Sequence, residues 1–255
     1  MRFSCAARTD VGVVRSGNED SYMMTSDRGL FVVADGMGGH AAGEVASAMA
    51  TQIVGEQFRP VRGMTDDELM AQMVAAIRAA NAAIFRRTLQ EHDKRGMGTT
   101  ATVLNLLPRR YLIGQVGDSR AYLLRGDVLT QLTKDHSYVQ EQVDAGLLTP
   151  EAARTHPYAN VITRCVGSSG DVVPDLYFGT LEPDDLLLLA SDGLTGMLDD
   201  DDVAEVMRSG VPLEEMVDAL IADANRRGGL DNITTILVRI EAVSPPTGEL
   251  PVTPS

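Results

Sequence analysis

The order of apolar and polar residues gives a first clear element, the apolar run of residues 30–34. A short run of this kind, bounded by polar residues and glycines, is typical of a strand buried on both faces. It ends at Asp35, and Gly36 and Gly38 follow before the next apolar pattern begins. The pattern therefore predicts a buried strand that carries a carboxylate to its end, beside a flexible turn that leads into a helix.

Two long helices are predicted after this turn. Apolar residues recur at the spacing of one helix face through residues 45–58 and again through residues 69–84. Thr65 and Glu68 stand just before the second pattern, at the spacing of a capping box. We predict that the apolar stripe of the second helix faces the core. Its members are Leu69, Met73, Ile77, Ala80 and Ile84.

Short strands account for most of the remaining pattern. Near the start, residues 3–7 and 11–14 are predicted as strands separated by a polar turn, and residues 22–25 as a third strand. From Gly98 onward, apolar runs separated by turn residues favour an antiparallel meander. Its strands are residues 99–107, 111–116, 120–124 and 128–132. Later strands are predicted at residues 161–165, 173–178, 185–190 and 233–240.

Shorter helices are predicted between and after these strands. They are residues 135–146, a segment that starts at Thr149 and Pro150, a helix whose N-terminus holds the aspartates 199–202, and residues 213–224. Because strands and helices come in runs, the α+β class is favoured over alternating βαβ units. No interior linker marks a boundary. We therefore expect one domain over residues 1–241 and a disordered tail at residues 242–255.

Charge and composition narrow the function. The formal net charge of −14 argues against a nucleic-acid surface or an anionic membrane surface, since both require clustered basic residues. Cys5 and Cys165 are too few for a disulfide scaffold. The sequence contains no apolar run of about eighteen residues and no signal-peptide pattern. We expect a soluble, cytoplasmic protein.

Three aspartates share a local setting. Asp35 and Asp192 each follow an apolar strand and precede a glycine, and Asp231 opens the last strand. One aspartate at a strand end is more often a turn former, but the repetition favours a shared site. Packed carboxylates repel one another, and a divalent cation removes that repulsion. Since the candidate ligands are oxygens and no His/Cys cluster has zinc spacing, Mg²⁺ or Mn²⁺ is favoured over zinc.

The glycine turn has two other interpretations. Gly36, Gly38 and Ala41 match the dinucleotide fingerprint between a strand and a helix. However, Asp35 would face the pyrophosphate, and the acidic residue expected about twenty positions later is missing, which disfavours nucleotide binding. The second interpretation, that the glycines serve only a tight turn, stays open on this stretch alone.

Six short motifs follow one another along the chain. They are Arg15-x-x-Asn18-Glu19-Asp20, Val33-Ala34-Asp35-Gly36-Met37-Gly38-Gly39-His40, Gly98-Thr99-Thr100, Gly117-Asp118-Ser119-Arg120, Ser191-Asp192-Gly193-Leu194 and Asp231-Asn232. In this order they resemble the metal-dependent protein phosphatases of the PPM, or type 2C, family, above all its compact bacterial branch. The resemblance extends from about Arg2 to Glu241. It implies an α+β fold, a four-layer α-β-β-α sandwich of two packed antiparallel sheets flanked by helices.

The same resemblance implies a set of metal ligands at one edge of the sandwich. Asp35 would bridge two ions, and the Gly36 carbonyl oxygen would be a further ligand. Asp192 and Asp231 would complete the coordination of the first ion.

The remaining acids and one arginine also receive roles from the resemblance. Glu19 and Asp20 would serve the second ion, directly or through water. Asp118 would share a third, weaker ion with Asp192. Arg15 would bind the substrate phosphate, a task that suits a planar guanidinium.

The activity implied is the hydrolysis of phosphoserine and phosphothreonine in proteins. Two Mn²⁺ or Mg²⁺ ions would lower the pKa of a bridging water and align its in-line attack, without a phosphoenzyme. Bacterial members of the family typically oppose Ser/Thr kinases, so a kinase and its substrates are the expected partners of a monomeric enzyme.

Two rival functions fit parts of this pattern. A catalytically silent relative would bind phosphorylated partners, but such relatives usually lose an acidic ligand, and Asp35, Asp118, Asp192 and Asp231 are all present. A hydrolase of small phosphate esters or nucleotides would share the chemistry and differ in substrate.

The general acid is not fixed by the sequence. Met37 stands where eukaryotic members carry a histidine that protonates the leaving group, and methionine has no proton to donate. His40 is one candidate for this task and a metal-bound water is another. His136, in a flap region over residues 135–160, is a candidate for contact with the substrate. Thr99 and Thr100 are expected to brace the site.

Overall fold

The computed structural model describes residues 1–38, 42–61 and 63–244. Its strands are β1 (Arg2–Asp10), β2 (Asp20–Thr25), β3 (Leu30–Met37), β4 (Gly98–Thr99), β5 (Ala101–Leu106), β6 (Arg110–Val116), β7 (Arg120–Arg125), β8 (Val128–Gln131), β9 (Asp175–Thr180), β10 (Leu186–Ala190) and β11 (Ile233–Ala242). Its α-helices are α1 (Ala42–Gln57), α2 (Asp66–Gln90), α3 (Tyr138–Asp144), α4 (Pro150–Arg154), α5 (Asp192–Thr195), α6 (Asp200–Arg208) and α7 (Leu213–Arg226). Single 3-10 turns lie at Ser26–Arg28 and His92–Lys94.

The described strands form two antiparallel sheets. The first has the order β1-β11-β10-β7-β8, and the second has the order β2-β3-β5-β6-β9 with β4 paired to β3. The chain passes from one sheet to the other several times. Residues that are far apart in sequence therefore meet where strand ends of the two sheets lie together.

Helices cover the outer face of each sheet. Helices α1 and α2 pack on the second sheet in a core that includes Leu30 and Met73. Helices α5, α6 and α7 pack on the first sheet, where Leu188 and Leu220 belong to one buried cluster. A third cluster, which includes Val33, lies between the sheets. The layers are α-β-β-α, and the predicted α+β sandwich is confirmed.

Alternation along β3 decides which side chains face the other sheet. Leu30 and Val32 belong to the core under the helices, whereas Phe31 and Val33 belong to the core between the sheets. Successive side chains of a strand point to opposite faces. The next residue in the Phe31 and Val33 series is Asp35, so its carboxyl group is directed toward the first sheet.

The predicted features of the helices are largely confirmed. Thr65 caps α2 in a capping box, in which its backbone N–H donates to Glu68 Oε2 at 2.8 Å. The predicted stripe of α2 is buried from Leu69 to Ile84. Asp199 and Asp202 form a second capping box at the start of α6. None of the helices in the described ranges combines the length and the apolar character that crossing a bilayer requires.

The N-terminal prediction was wrong in one respect. Residues 8–10 do not form a turn but continue β1, because every residue from Phe3 to Asp10 pairs with β11. The strand ends just before Gly12, whose φ of 79° lies in the left-handed region. Residues 11–14 are therefore a loop and not a second strand.

The predicted meander is divided between the two sheets. Strands β5 and β6 pair in the second sheet, whereas β7 and β8 pair in the first. The turn at Gly117 and Asp118 is therefore a crossing point between sheets. Residues 161–165 form no strand, since this segment contributes only an isolated bridge between Ile162 and Ser137.

Candidate metal centre

Strands β2 and β3 place Asp20 and Asp35 directly opposite each other in the second sheet. Opposed residues of an antiparallel pair have their side chains on the same face. That face is covered by the first sheet, and Asp20 is only 8% exposed there. Two carboxyl groups thus lie side by side in poorly solvated surroundings, where two negative charges repel strongly.

The first sheet supplies Asp192 and Asp231. Asp192 begins α5 directly after β10, and Asp231 precedes β11, the neighbour of β10. The sequence pattern predicts Asp192 at a strand end, but it is the first residue of a helical turn, and Ser191 occupies the position before that turn. The Asp35 carboxyl group of the second sheet lies close enough to the Asp192 carboxyl group for the two to influence each other's pKa across the sheets.

The pKa values of these acids are raised. Burial is the main cause that holds the pKa of Asp35 and Asp118 well above their usual range, and neighbouring carboxylates add to it. Burial also raises the pKa of Asp20 to about 7, although the side chains of Thr234 and Ser191 oppose that shift. The pKa of Asp192 is raised for the same reason. Asp35 retains some exposed surface, but its carboxyl group is embedded deeply enough for desolvation to dominate.

Within the part of the chain that the structure describes, three buried carboxylate oxygens have no hydrogen-bond partner. They are Asp20 Oδ1, Asp118 Oδ1 and Asp192 Oδ1. A buried acceptor without a partner is costly, and an unpaired buried carboxylate is more so. A hard divalent cation takes carboxylate oxygens as ligands and would satisfy all of these atoms. The donor set therefore fits Mg²⁺ or Mn²⁺.

The acids nonetheless do not form a ready-made ligand set. As the side chains stand, no group of three His, Cys, Asp or Glu residues in the described ranges is placed to hold an ion together. Their present neighbours differ, because Asp35 lies beside Asp192 and Asp231 accepts a hydrogen bond from Arg15. Binding of a cation would require these side chains to turn away from their present neighbours.

Asp118 lies in the turn where the chain crosses from β6 to β7. It is 6% exposed, and the Asp192 carboxylate is among the charges that raise its pKa. The structure thus brings Asp118 close to the other acids, from a part of the chain that is distant from all of them in sequence.

Glu19 is held beside the glycine turn by close packing. The Gly36 N–H donates to the Glu19 carbonyl oxygen at 3.1 Å. A Cβ atom at Gly36 would lie 2.2 Å from the Gly43 carbonyl oxygen, and one at Gly43 would lie 2.4 Å from Glu19 Oε2. Only glycine fits at these two positions. These glycines therefore do more than form a tight turn, because they let the backbone approach the acidic residue Glu19 closely.

Two threonines brace the end of β3, as the sequence predicts. The Thr100 N–H donates to the Asp35 carbonyl oxygen at 2.8 Å, and the Asp35 N–H donates to Thr100 Oγ1 at 2.9 Å. Thr99 Oγ1 donates to the same carbonyl oxygen at 2.9 Å. Both threonines are fully buried, so the backbone of Asp35 is fixed on both sides.

Asn232 has a structural role that sequence reasoning did not assign. Its Oδ1 accepts the Glu19 N–H at 2.8 Å, and its Nδ2 donates to the carbonyl oxygens of Val11 and Gly17, each at 2.9 Å. One buried amide thereby fastens the loop before β2 to the start of β11. The sequence signal for this role is the position of the asparagine, directly after a predicted metal ligand.

Arg15 stands at the mouth of the site. Its Nη2 donates to Asp231 Oδ2 at 2.6 Å, and 51% of its side chain is exposed. Arg15 lines a cavity of about 690 Å³ together with Asp118, Asp192 and Asp231. This cavity extends under the segment that contains α3 and α4, where Arg154 and His156 line it.

The histidine candidates fall in different places. His40 lies outside the described residues. His136 is 7% exposed, is not part of the cavity wall, and has both ring nitrogens engaged by protein groups. Its contact with a substrate stays a prediction. Met37 is half-buried at the end of β3.

Comparison with known proteins identifies relatives over most of the chain. The sequence model of the family described as protein phosphatase 2C matches residues 14–236. Protein phosphatase PhpP of Streptococcus pneumoniae is 41% identical over 235 residues, which cover 90% of this chain and 94% of PhpP. The serine/threonine phosphatase stp of Listeria innocua is 39% identical and covers 91% of this chain and 93% of its own length.

Solved structures of similar proteins have the same fold. The serine/threonine phosphatase PstP/Ppp of Mycobacterium tuberculosis is 40% identical with a TM-score of 0.88, and the match covers 94% of this chain and 99% of that one. The catalytic domain of PstP in complex with two manganese ions is 39% identical with a TM-score of 0.84, and covers 94% and 99%.

Proposed function

The chain belongs to the protein phosphatase 2C family and is a metal-dependent protein phosphatase, and on that premise we propose which of its residues bind the ions and the substrate. Asp35, Asp192 and Asp231 would hold the first ion, together with the Gly36 carbonyl oxygen. Glu19, Asp20 and Asp35 would hold a second ion.

The observation that carries this proposal is the cluster of buried acids drawn from both sheets. Asp20, Asp118 and Asp192 each retain a buried oxygen without a partner. The free energy of such an arrangement is unfavourable without a cation, so it is hard to explain as a structural feature alone. The full set of acids also supports catalysis over a silent binding role.

The bound ions would supply Lewis-acid activation of a water nucleophile and neutralise the phosphoryl oxygens. The chain itself contributes position and charge. Arg15 leaves Asp231 and donates two parallel N–H bonds to the phosphate of the substrate. Thr99, Thr100 and Asn232 keep the backbone of the acids in place, which limits the reorganisation needed during the reaction.

We propose phosphoserine and phosphothreonine in proteins as the substrates of this site. The cavity continues from Arg15 to Arg154 and His156, which gives room for residues on either side of the phosphorylated one. A free nucleotide would leave much of this cavity unused. His136 and His40 remain candidates for substrate contact and proton donation, and a metal-bound water is the alternative donor.

The finer assignments follow the chemistry of the donor set. Both Mn²⁺ and Mg²⁺ suit carboxylate and carbonyl oxygens, and we propose that either supports turnover. Asp118 and Asp192 would share a third ion. The proposed substrates are a Ser/Thr kinase and its targets in the cytoplasm. We further propose that the enzyme is monomeric. Its cysteines Cys5 and Cys165 are both free.

The test compares substrates and variants in the presence of Mn²⁺. The protein should release phosphate from a phosphothreonine peptide much faster than from ATP, and D192N should lower that rate by more than about 100-fold. D93N, a change at an exposed aspartate paired with Lys94, is the matched control and should behave as wild type. Equal turnover of peptide and ATP would favour a small-ester hydrolase. Activity that survives in D192N would contradict the proposed ligands.

A further inference from the structure

The turn that carries Asp118 is tied to one buried histidine by two hydrogen bonds. The Gly117 N–H donates to His136 Nδ1 at 3.0 Å, and the His136 N–H donates to the Gly117 carbonyl oxygen at 2.9 Å. Gly117 has a φ of 106°, and a Cβ atom there would lie 2.5 Å from Thr100 Cγ2. On one side the turn therefore packs against Thr100, which holds the backbone of Asp35. On the other side it is hydrogen-bonded to His136.

The hydrogen bonds fix the protonation of the imidazole ring. Because Nδ1 accepts the Gly117 N–H, it carries no proton, and a neutral ring must carry its proton on Nε2. Nε2 lies 3.1 Å from Asp175 Oδ2, to which it donates. Arg164 Nη1 lies 2.9 Å from Nε2, but its two hydrogens are used by the other oxygen of Asp175 at 2.7 Å and by the Val173 carbonyl oxygen at 3.0 Å. Its positive charge beside the ring disfavours a charged imidazolium.

Burial agrees with this neutral form. His136 is 7% exposed, and desolvation is the main cause that lowers its pKa, with the charge of Arg164 acting in the same direction. The ring is thus a fixed hydrogen-bond acceptor inside the fold.

We propose that His136 is a positioning residue for Asp118: its neutral ring holds the Gly117 N–H and so fixes the carboxylate that shares the third ion with Asp192. This inference rests on the proposed metal role of Asp118. Groups that orient a ligand from behind are a general feature of metal sites, and their loss typically weakens metal affinity by about 10- to 100-fold.

Two substitutions separate the two ring nitrogens. In H136N the amide oxygen stands near the position of Nδ1, keeps an acceptor for Gly117 and loses the bond to Asp175. In H136Q the amide reaches the position of Nε2, keeps a donor for Asp175 and leaves the Gly117 N–H buried without a partner. Such a loss costs more than the removal of an exposed hydrogen bond.

The first readout is spectroscopic and needs no metal and no variant. In isotopically labelled wild-type protein, scalar coupling through the hydrogen bond should connect the Gly117 nitrogen with His136 Nδ1, and Nδ1 should have the chemical shift of an unprotonated nitrogen. The absence of this coupling, or a protonated Nδ1, would overturn the proposal.

The second readout is Mn²⁺ binding by calorimetry. The weak binding event that disappears in D118N should weaken by about 10- to 100-fold in H136Q and stay near the wild-type value in H136N. Equal loss in both variants, no loss in H136Q, or an unchanged isotherm in D118N would each contradict the proposal. If H136Q does not fold, the wild-type coupling and the H136N isotherm decide the question.

These measurements are independent of turnover. Protein that shows the coupling and the binding pattern but leaves phosphopeptides intact would refute the proposed catalysis and leave the role of His136 standing. Active protein without the coupling would do the opposite.

Discussion

Ser191 Oγ donates a hydrogen bond to Asp20 Oδ2 at 2.8 Å, and this bond joins the first sheet to the second. The same hydroxyl oxygen accepts the Thr234 N–H at 2.9 Å. A single buried serine thus connects β2, β10 and β11 at the edge where the acids meet. The site and the seam between the sheets are parts of one hydrogen-bonded structure.

S191A should therefore lower the stability of the protein. The substitution leaves the buried Thr234 N–H without an acceptor and removes one donor from Asp20, which should cost about 1–3 kcal/mol in the free energy of unfolding. Urea unfolding of the two proteins measures the difference. S168A removes an exposed serine that donates to one backbone carbonyl oxygen and should change the free energy by less than about 0.5 kcal/mol. Equal losses of free energy in S191A and S168A would show that the hydrogen bonds of Ser191 stabilise the protein no more than an exposed one does.

R15K should weaken substrate binding more than it affects folding. Lysine retains the charge but cannot donate two parallel bonds to a phosphate, so KM for a phosphothreonine peptide should rise about tenfold. Arg8 provides the matched control, because its side chain is similarly exposed, at 48%, and is also paired with an aspartate. R8K should leave KM unchanged. An R15K enzyme with wild-type KM would remove Arg15 from the phosphate site.

G36A should destabilise the protein, although it adds only one methyl group. The new Cβ atom would lie 2.4 Å from the Glu19 carbonyl oxygen and 2.2 Å from that of Gly43, and both are backbone atoms that cannot move alone. We expect a loss of about 1–3 kcal/mol, measured by thermal unfolding. A Cβ atom at Gly17 would meet no atom within 4 Å, so G17A should be nearly neutral. Similar melting temperatures for the two variants would contradict the packing described here.

The stability of the chelator-treated protein should fall as the pH rises. Asp20 has a folded pKa of about 7 against an ordinary value of 3.8, so between these values the folded state binds more protons than the unfolded state. Stability is then full below the ordinary pKa and decreases through the folded pKa, by up to about 4 kcal/mol for this one group. Thermal unfolding at pH 5 and pH 8 tests the sign.

Two additions make this pH test specific. D20N removes the titrating group, so its pH profile should be flatter than that of the wild type. Mn²⁺ added at pH 8 should restore stability, because the cation replaces the protons. A metal-free protein that is more stable at pH 8 than at pH 5 would contradict the raised pKa of these acids.

The local parts of the site could be predicted from the sequence. The apolar run before Asp35 and the glycines after it are short-range signals, and alternation along a strand determines which way the acid points. The same holds for the capping box of α2, since it depends on residues within one helical turn.

The long-range parts could not be predicted in this way. Residues 8–10 of β1 read as a polar turn, yet they are strand because they pair with β11, and Thr9 Oγ1 lies 2.7 Å from Thr234 Oγ1. Likewise, no local pattern shows that the chain changes sheets between β6 and β7. The bond between His136 and Gly117 depends on that crossing, so a buried histidine could only be read as a surface candidate.

The pairing of Asp20 with Asp35 also sets a condition on folding. A strand that slips by one residue turns all of its side chains to the opposite face. If β2 formed one residue out of step with β3, Asp20 would point under the helices, while the apolar residues that assemble the sandwich would be only partly disturbed. Such a misaligned protein would be compact and helical but would not bind the metal. Circular dichroism would count this fraction as native, whereas a metal titration would show that it lacks the site.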